Sequence, residues 1–285
     1  MKVLDVSNVS YKVGDKQLLQ DINFSLEPGE KFVILGSNGS GKSTLIDVMT
    51  ENLFPTEGEV TFWGDSMRKH RRKIGVLYDN ISLFPRLKVK EIFHYLGNYL
   101  GIPKWEDKEL VRLLGLDKIY DKVFIVLSAG ERKKVGIYVA LMGNPEMLVL
   151  DEPTANLDPE TREKFWRYIY QRKDMSVFFA THQWEEIKEF TNKVVFLRDG
   201  QMIDKAKSVS DLMADYADFQ SKIAFTKFQG YQNIVEEEKH YLQEDMIFVF
   251  PSDKRSFLQR LNKVTPNFSI TPLSIKDVYK LTVSA

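Results

Sequence analysis

The chain has 285 residues, enough for about two domains with a sizeable core, and its 40 lysine and arginine residues cancel its 40 aspartate and glutamate residues. That balance gives no global basic field of the kind nucleic-acid binding exploits, so no nucleic-acid partner is expected. Cysteine is absent, which excludes disulfides and thiolate metal sites and permits a reducing compartment.

Taken in chain order, Met1-Lys2-Val3-Leu4-Asp5-Val6 alternates like a strand and lacks the charged-then-apolar layout of a secretory leader. No run of about eighteen apolar residues occurs anywhere, so the chain is not expected to cross a bilayer by itself. Strands near 3 to 11, 18 to 26 and 58 to 63 predict an antiparallel β-subdomain, bounded by turns at Pro28-Gly29-Glu30 and Pro55-Thr56-Glu57-Gly58. The apolar stretch Lys31 to Leu35 leads into Gly36-Ser37-Asn38-Gly39-Ser40-Gly41-Lys42-Ser43 and then into helix-compatible residues from Thr44. That strand, loop and helix order is the context a P-loop requires. Glycines 36, 39 and 41 let backbone N–H groups curl inward toward a polyphosphate, and the helix N-terminus adds a favourable dipole. Lys42 would reach the β and γ phosphates, and the Ser43 hydroxyl suits Mg²⁺, which prefers oxygen ligands.

The basic run Arg68-Lys69-His70-Arg71-Arg72-Lys73 reads as a solvated helix before a strand, or as a patch that meets acidic lipid heads or an acidic partner. Ile74 to Tyr78 is that strand, and Asp79-Asn80 follows it. Residues 79 to about 142 read as mostly helical. Within them Leu127-Ser128-Ala129-Gly130-Glu131 opens a helix, with Ser128 as cap and Glu131 three residues on. Met147 to Asp151 is an apolar strand ending in two carboxylates, Asp151 and Glu152, before Pro153. Asp151 would hold Mg²⁺ through water, and Glu152 would act as general base for an attacking water. With 31 to 35, 74 to 78, 176 to 180 and 194 to 198, this strand predicts a parallel sheet with helices packed across it.

In this order, the motifs resemble those of the nucleotide-binding subunit of an ATP-binding cassette (ABC) transporter, from about residue 2 to about 204. The resemblance implies an α/β fold: a P-loop NTPase core with a parallel sheet, an antiparallel β-subdomain and an inserted helical subdomain, together forming a cassette over 1–205. It implies that the loop from Gly36 to Thr44 binds ATP with Mg²⁺, and that Ser128 and the Gly130 N–H bind the γ phosphate held by a second cassette, identical or paralogous. Tyr11 resembles the aromatic that stacks on adenine, although a lone tyrosine there also suits a surface strand. Asp158, in Ala155-Asn156-Leu157-Asp158, resembles part of the loop that senses the opposite site. His182, after Thr181, resembles the switch histidine that hydrogen-bonds the γ phosphate. The family usually has glutamine where Asp79 stands; a carboxylate there can still ligate the metal but carries charge. The segment from Asn80 to Gly101, through Phe84-Pro85-Arg86-Leu87, resembles the start of the subdomain whose groove receives a helix of a separate transmembrane permease. That implies a place on the cytoplasmic face of the membrane.

Beyond about residue 205, predicted strands at 225–228, 246–250 and 268–270 and helices at 252–263 and 274–281 make a small α+β C-terminal appendage over 206–285. Its ending, Pro272 to Thr282, resembles the terminal helix of ATPase subunits from drug, peptide and polysaccharide exporters. The appendage reads as a dimer-stabilising cap or as a regulatory small-molecule site. The expected function is ATP hydrolysis in a head-to-tail dimer that drives export of a peptide or hydrophobic compound. A soluble ABC ATPase powering a non-transport machine, or a nucleotide-gated regulatory or immunity module, stands as the alternative.

Overall fold

In the computed structural model, which describes residues 1–102, 107–184, 187, 191–219 and 221–284, burial pattern separates two kinds of strand. Leu4–Val13 (β1) and Lys16–Leu26 (β2) mix buried and exposed positions and pair antiparallel, whereas Lys31–Leu35 (β3) is buried at every position. Half-buried antiparallel sheets and fully buried parallel strands have these two signatures. After Lys42–Met49 (α1) comes Glu57–Phe62 (β4), which joins β1 to complete a three-stranded sheet in the order β2-β1-β4. The stacked rings of Phe24, Phe32 and Phe178 tie that sheet to the larger one, with centroids 4.9 to 5.8 Å apart.

The basic run contributes only one exposed turn, Met67–His70 (α2), and its charges find acids nearby: Arg68 with Glu51, Lys69 with Asp65 and Lys73 with Glu146. Ile74–Leu77 (β5), Met147–Asp151 (β6), Ser176–Thr181 (β7) and Lys193–Arg198 (β8) join β3 in a parallel sheet, and Gln201–Met202 (β9) returns antiparallel on its edge. The strand order is β5-β6-β7-β3-β8-β9. Register sets Leu35 level with Thr181, Asp151 with Ala180, and Leu77 with Leu150, so four carboxyl ends share one level.

Between β5 and β6 lie Val89–Leu100 (α3), Lys108–Leu114 (α4) and Ala129–Leu141 (α5), and after β6 comes Pro159–Gln171 (α6). Asp107, Ser128 and Asp158 cap α4, α5 and α6 with side-chain oxygens, and Gly101 and Gly115 end α3 and α4 in the left-handed region. Residues 103–106 of the predicted helical segment lie outside the described residues. Among the described residues no helix is long and apolar enough to cross a membrane.

Met1–Ala206 forms one compact unit and Lys207–Ala285 another. The second contains Val209–Ala214 (α7), Ser221–Thr226 (β10), Gln232–Val235 (α8), Lys239–Gln243 (β11), Met246–Phe250 (β12), Lys254–Leu261 (α9), Phe268–Pro272 (β13) and Ile275–Ser284 (α10). Its sheet is antiparallel in the order β11-β12-β10-β13. Ile223, Phe225, Ile247 and Val249 pack with Phe257 and Leu261 of α9, while Tyr241 and Phe250 pack with Leu281 of α10. The strand expected at 225–228 runs instead over 221–226, because Ile223 and Phe225 alternate into the core while Phe228 reaches it from the following turn. No strand was expected at β11, in which only Tyr241 is buried.

Asp277 is fully buried and accepts hydrogen bonds from Lys222 Nζ (2.8 and 3.0 Å), the Tyr241 hydroxyl (2.9 Å) and Ser274 N (2.9 Å). Burial, reinforced by this acceptor, pushes the Tyr241 phenol up.

Two stability outcomes are expected. Replacing Asp277 with alanine strips Lys222 and Tyr241 of their shared acceptor and destabilises the second unit by about 3–5 kcal/mol, read as faster amide exchange through β10 and β11. In the first unit, a Cβ on Gly75 of β5 would lie 1.9 Å from the Ala140 carbonyl oxygen of α5. Gly75→Ala therefore costs about 1–3 kcal/mol through overpacking and lowers the urea midpoint.

Candidate functional site

The loop after β3 turns into α1 through Gly39 and Gly41, whose φ values of 81° and 107° are left-handed, and Gly41 is the N-cap residue of α1. Ser37, Asn38 and Gly39 are exposed on this loop, and Ser40 is buried with its hydroxyl oxygen lacking a partner. Lys42 is buried and donates from Nζ to the carbonyl oxygens of Gly36 (2.8 Å) and Ser37 (3.1 Å), the two residues that open the loop. Burial lowers its pKa, opposed by the charges of Glu152 and Asp151. Thr44 lies in the first turn of α1, directly after Ser43.

Asp151 ends β6 in a buried position, and burial is the main force raising its pKa. The Ser43 hydroxyl donates to it and opposes that rise, Asp79 and Glu152 add to the rise, and Lys42 lowers it. Its Oδ1 is buried without a hydrogen-bond partner. A bare carboxylate oxygen beside a serine hydroxyl is a donor set that fits a hard, oxygen-seeking cation such as Mg²⁺. Among the described residues no three aspartate, glutamate or histidine side chains converge to hold a cation unaided. Waters and phosphate oxygens would have to complete such a shell.

Glu152 leaves the strand with φ of 45°, and its N–H donates to Ala180 O of β7 at 2.9 Å. One carboxylate oxygen lies 2.9 Å from His182 Nδ1 and the other accepts from the Thr181 hydroxyl at 3.4 Å. A carboxylate oxygen accepts, so in this contact the histidine donates through Nδ1. Thr181 Oγ1 in turn accepts from Gln183 N at 3.0 Å, which anchors the turn that carries the histidine. The Glu152 carboxylate is thereby held between Thr181 at the end of β7 and His182 just past it, at the level of the loop after β3.

Tyr11 sits near the end of β1, half-buried against the core, and pairs with Leu19 of β2. Leu19 Cδ2 approaches Gly41 closely, which places Tyr11 one strand away from the loop. Asp79, just past β5, is ion-paired with Lys133 of α5 at 3.2 Å. Lys133 is a residue the sequence reading passed over. It stands in the charged run Arg132-Lys133-Lys134, and the available signal was its place three, four and seven residues before Gly136, Ile137 and Ala140.

Ser128, Gly130 and Asp158 form a second group. Ser128 Oγ accepts from Glu131 N (3.2 Å) while Glu131 accepts from Ser128 N (2.9 Å), a reciprocal cap that Lys122 extends by pairing with Glu131. A Cβ at Gly130 would lie 2.6 Å from Asn156 O, so this glycine lets the helix start approach the 155–158 loop. Asp158 accepts from Thr161 N and Thr161 Oγ1, and these bonds hold its carboxyl down at about 2.

The family described as ABC transporter matches residues 19–155. The phosphonates import ATP-binding protein PhnC of Treponema denticola is 32% identical, covering 70% of this chain and 88% of that protein. The linearmycin resistance ATP-binding protein LnrL of Bacillus subtilis is 31% identical, covering 70% of this chain and 68% of that protein. Among solved structures, a dimeric ATP-binding cassette in a post-hydrolysis state with ADP and Pi is 26% identical, with a TM-score of 0.64 over 72% of this chain and 98% of that one. The level carboxyl ends, the glycine loop and these likenesses agree, and the chain belongs to the ATP-binding subunits of ABC transporters: it is an ATPase.

Proposed function

We propose that two copies of the chain face head to tail and hydrolyse ATP between them, with Lys42 and the N–H groups from Gly36 to Thr44 of one copy holding the phosphates. Ser128 and the Gly130 N–H of the other copy complete the γ-phosphate contacts, and Tyr11 stacks on the adenine. Glu152 takes the proton of the attacking water, while His182 holds the carboxylate through Nδ1 and meets the γ phosphate through Nε2. Asp158 positions the loop between the two sites. Mg²⁺, held by Ser43 and Asp151 with Asp79 beside them, would supply charge neutralisation for the phosphate oxygens. The observation that carries this reading is the Glu152–His182 contact of 2.9 Å at the level of the phosphate loop. Dimerisation draws support from the described ends of α5 and α6, whose Ser128 and Asp158 are held by residues 122–161 rather than by the loop they would serve.

Subunits of this family work with transmembrane permeases. A fitting surface lies on α3, where Tyr95 and Tyr99 are 50% and 72% exposed and stack at 6.3 Å beside Phe84. Lys90, Glu91, His94 and Asn98 of the same helix flank them. This exposed aromatic cluster is the surface we assign to the permease. The chain would thereby sit on the cytoplasmic face of the membrane, and Lys207–Ala285 would serve as a cap that stabilises the dimer. Export is the direction we infer, with a peptide or hydrophobic compound as cargo. It is supported by the exporter-like ending from Pro272 to Thr282 and by the likeness to a resistance protein, while the likeness to an import protein makes uptake the competing direction.

Three outcomes test this reading. Glu152→Gln should bind ATP, lose about 100-fold or more in turnover and accumulate as a dimer on size exclusion with ATP; near-normal turnover would move the base elsewhere. The tagged chain, isolated from detergent-solubilised membranes of its own cell, should bring down a multi-spanning protein in stoichiometric amount. The double change Tyr95→Glu with Tyr99→Glu should abolish that recovery and leave ATP affinity unchanged.

A further inference from the structure

The acidic residue at position 79 stands where the resemblance leads one to expect glutamine, and it adds a negative charge to a site that already holds Asp151 and Glu152. Asp79 lies just past β5, and Leu77 of β5 is level with Leu150 of β6, so all three carboxylates gather at one end of the sheet. The charges of Asp79 and Glu152 both act against that of Asp151, and a nearby cation relieves such repulsion.

The close packing of α5 on β5 delivers that cation. A Cβ on Gly75 would meet Ala140 O at 1.9 Å, and a Cβ on Gly136 would meet Ile81 Cδ1 at 2.5 Å and Leu77 Cδ1 at 2.8 Å. Ala140, Gly136 and Lys133 therefore run down one face of α5 opposite residues 75, 77 and 79. Only because two glycines let the helix and strand approach does the next residue on that face meet Asp79. Lys133 is 2% exposed, and its Nζ donates to Asp79 Oδ1 at 3.2 Å and to Asp79 O at 3.3 Å. It thereby grips both the backbone and the side chain of residue 79. The Asp79 side chain is 57% exposed, so its own surroundings fix it weakly. A buried ammonium that loses its acceptors is strongly disfavoured, and the asymmetry makes Lys133 the anchor and Asp79 the anchored group.

We propose that Lys133 is a positioning residue that holds Asp79 in place and balances its charge, so that an acidic residue can serve the ATP site where a neutral amide is usual. This rests on the reading of Asp79 as part of that site. The cation and the carboxylate then form one functional pair, and removing either alone is worse than replacing both by neutral groups.

The test is a double-mutant cycle on the full chain with two readouts. In nucleotide-free protein, Lys133→Met should raise amide exchange across residues 78–81 at least fivefold. Asp79→Ala should lower the melting temperature by leaving Lys133 buried without its counter-charge, and adding Lys133→Met should restore it. Unchanged exchange together with additive melting shifts would overturn the anchor. In the ATPase assay, Lys133→Met should lower kcat at least fivefold with KM for ATP altered less than twofold, and Asp79→Gln with Lys133→Met should recover most of the loss. Additive losses in that double variant would overturn the pairing. If exchange and melting couple as expected but kcat stays unchanged in Lys133→Met, the contact is real and the failure lies in the reading of Asp79. Because Asp79 is exposed, its single variants keep the cycle informative even if Lys133→Met folds poorly.

Discussion

The site is organised around the charge balance of one buried ammonium and two buried carboxylates, which act on one another through space. Lys42, Asp151 and Glu152 are each withdrawn from water at the carboxyl ends of β3 and β6. Ionised groups are costly to bury singly and are kept where opposite charges and hydrogen bonds compensate them. Lys42 is compensated by two carbonyl oxygens of its own loop, Glu152 by His182 and Thr181, and Asp151 by Ser43. The exception is Asp151 Oδ1, left bare inside the protein. A buried polar atom without a partner is uncommon in folded proteins, and this one stands beside a serine hydroxyl where a cation would fit.

The parallel sheet is what makes this arrangement affordable in packing terms. Its strands are apolar throughout, so charge is confined to their ends, where loops rather than ladders satisfy the backbone. Helix α5 links two groups of residues. Its capped start carries Ser128 and Gly130, and its body lies on β5 closely enough to carry Lys133 to Asp79. A shift of α5 would be felt at both, because the glycine contacts leave no slack between helix and strand.

The second unit follows a different rule. Its small sheet has an apolar face against α9, and on the other face a buried carboxylate, Asp277, gathers a lysine, a tyrosine and the start of α10. Fully satisfied polar clusters of this kind specify one packing among several that a small apolar core would tolerate.

Features that depend on near neighbours were legible from the residues alone. Glycine spacing marked the loop from Gly36 to Thr44, apolar runs marked the five parallel strands, and the paired acids after Leu150 marked the end of β6. The serine and glutamate three residues apart likewise marked the start of α5. Short edge elements such as β11 escaped, because a strand with one buried side chain carries little alternation. That Lys133 is buried against Asp79 follows from long-range packing. A lysine in a charged run reads as solvated, and burial depends on which face of α5 meets β5, a choice made by Gly75 and Gly136 across more than fifty residues of intervening chain. The same holds for the level placement of Leu35, Asp151 and Thr181, which strand order and register fix. Local spacing dictates which chemistry a segment can carry; non-local packing dictates which segments share it.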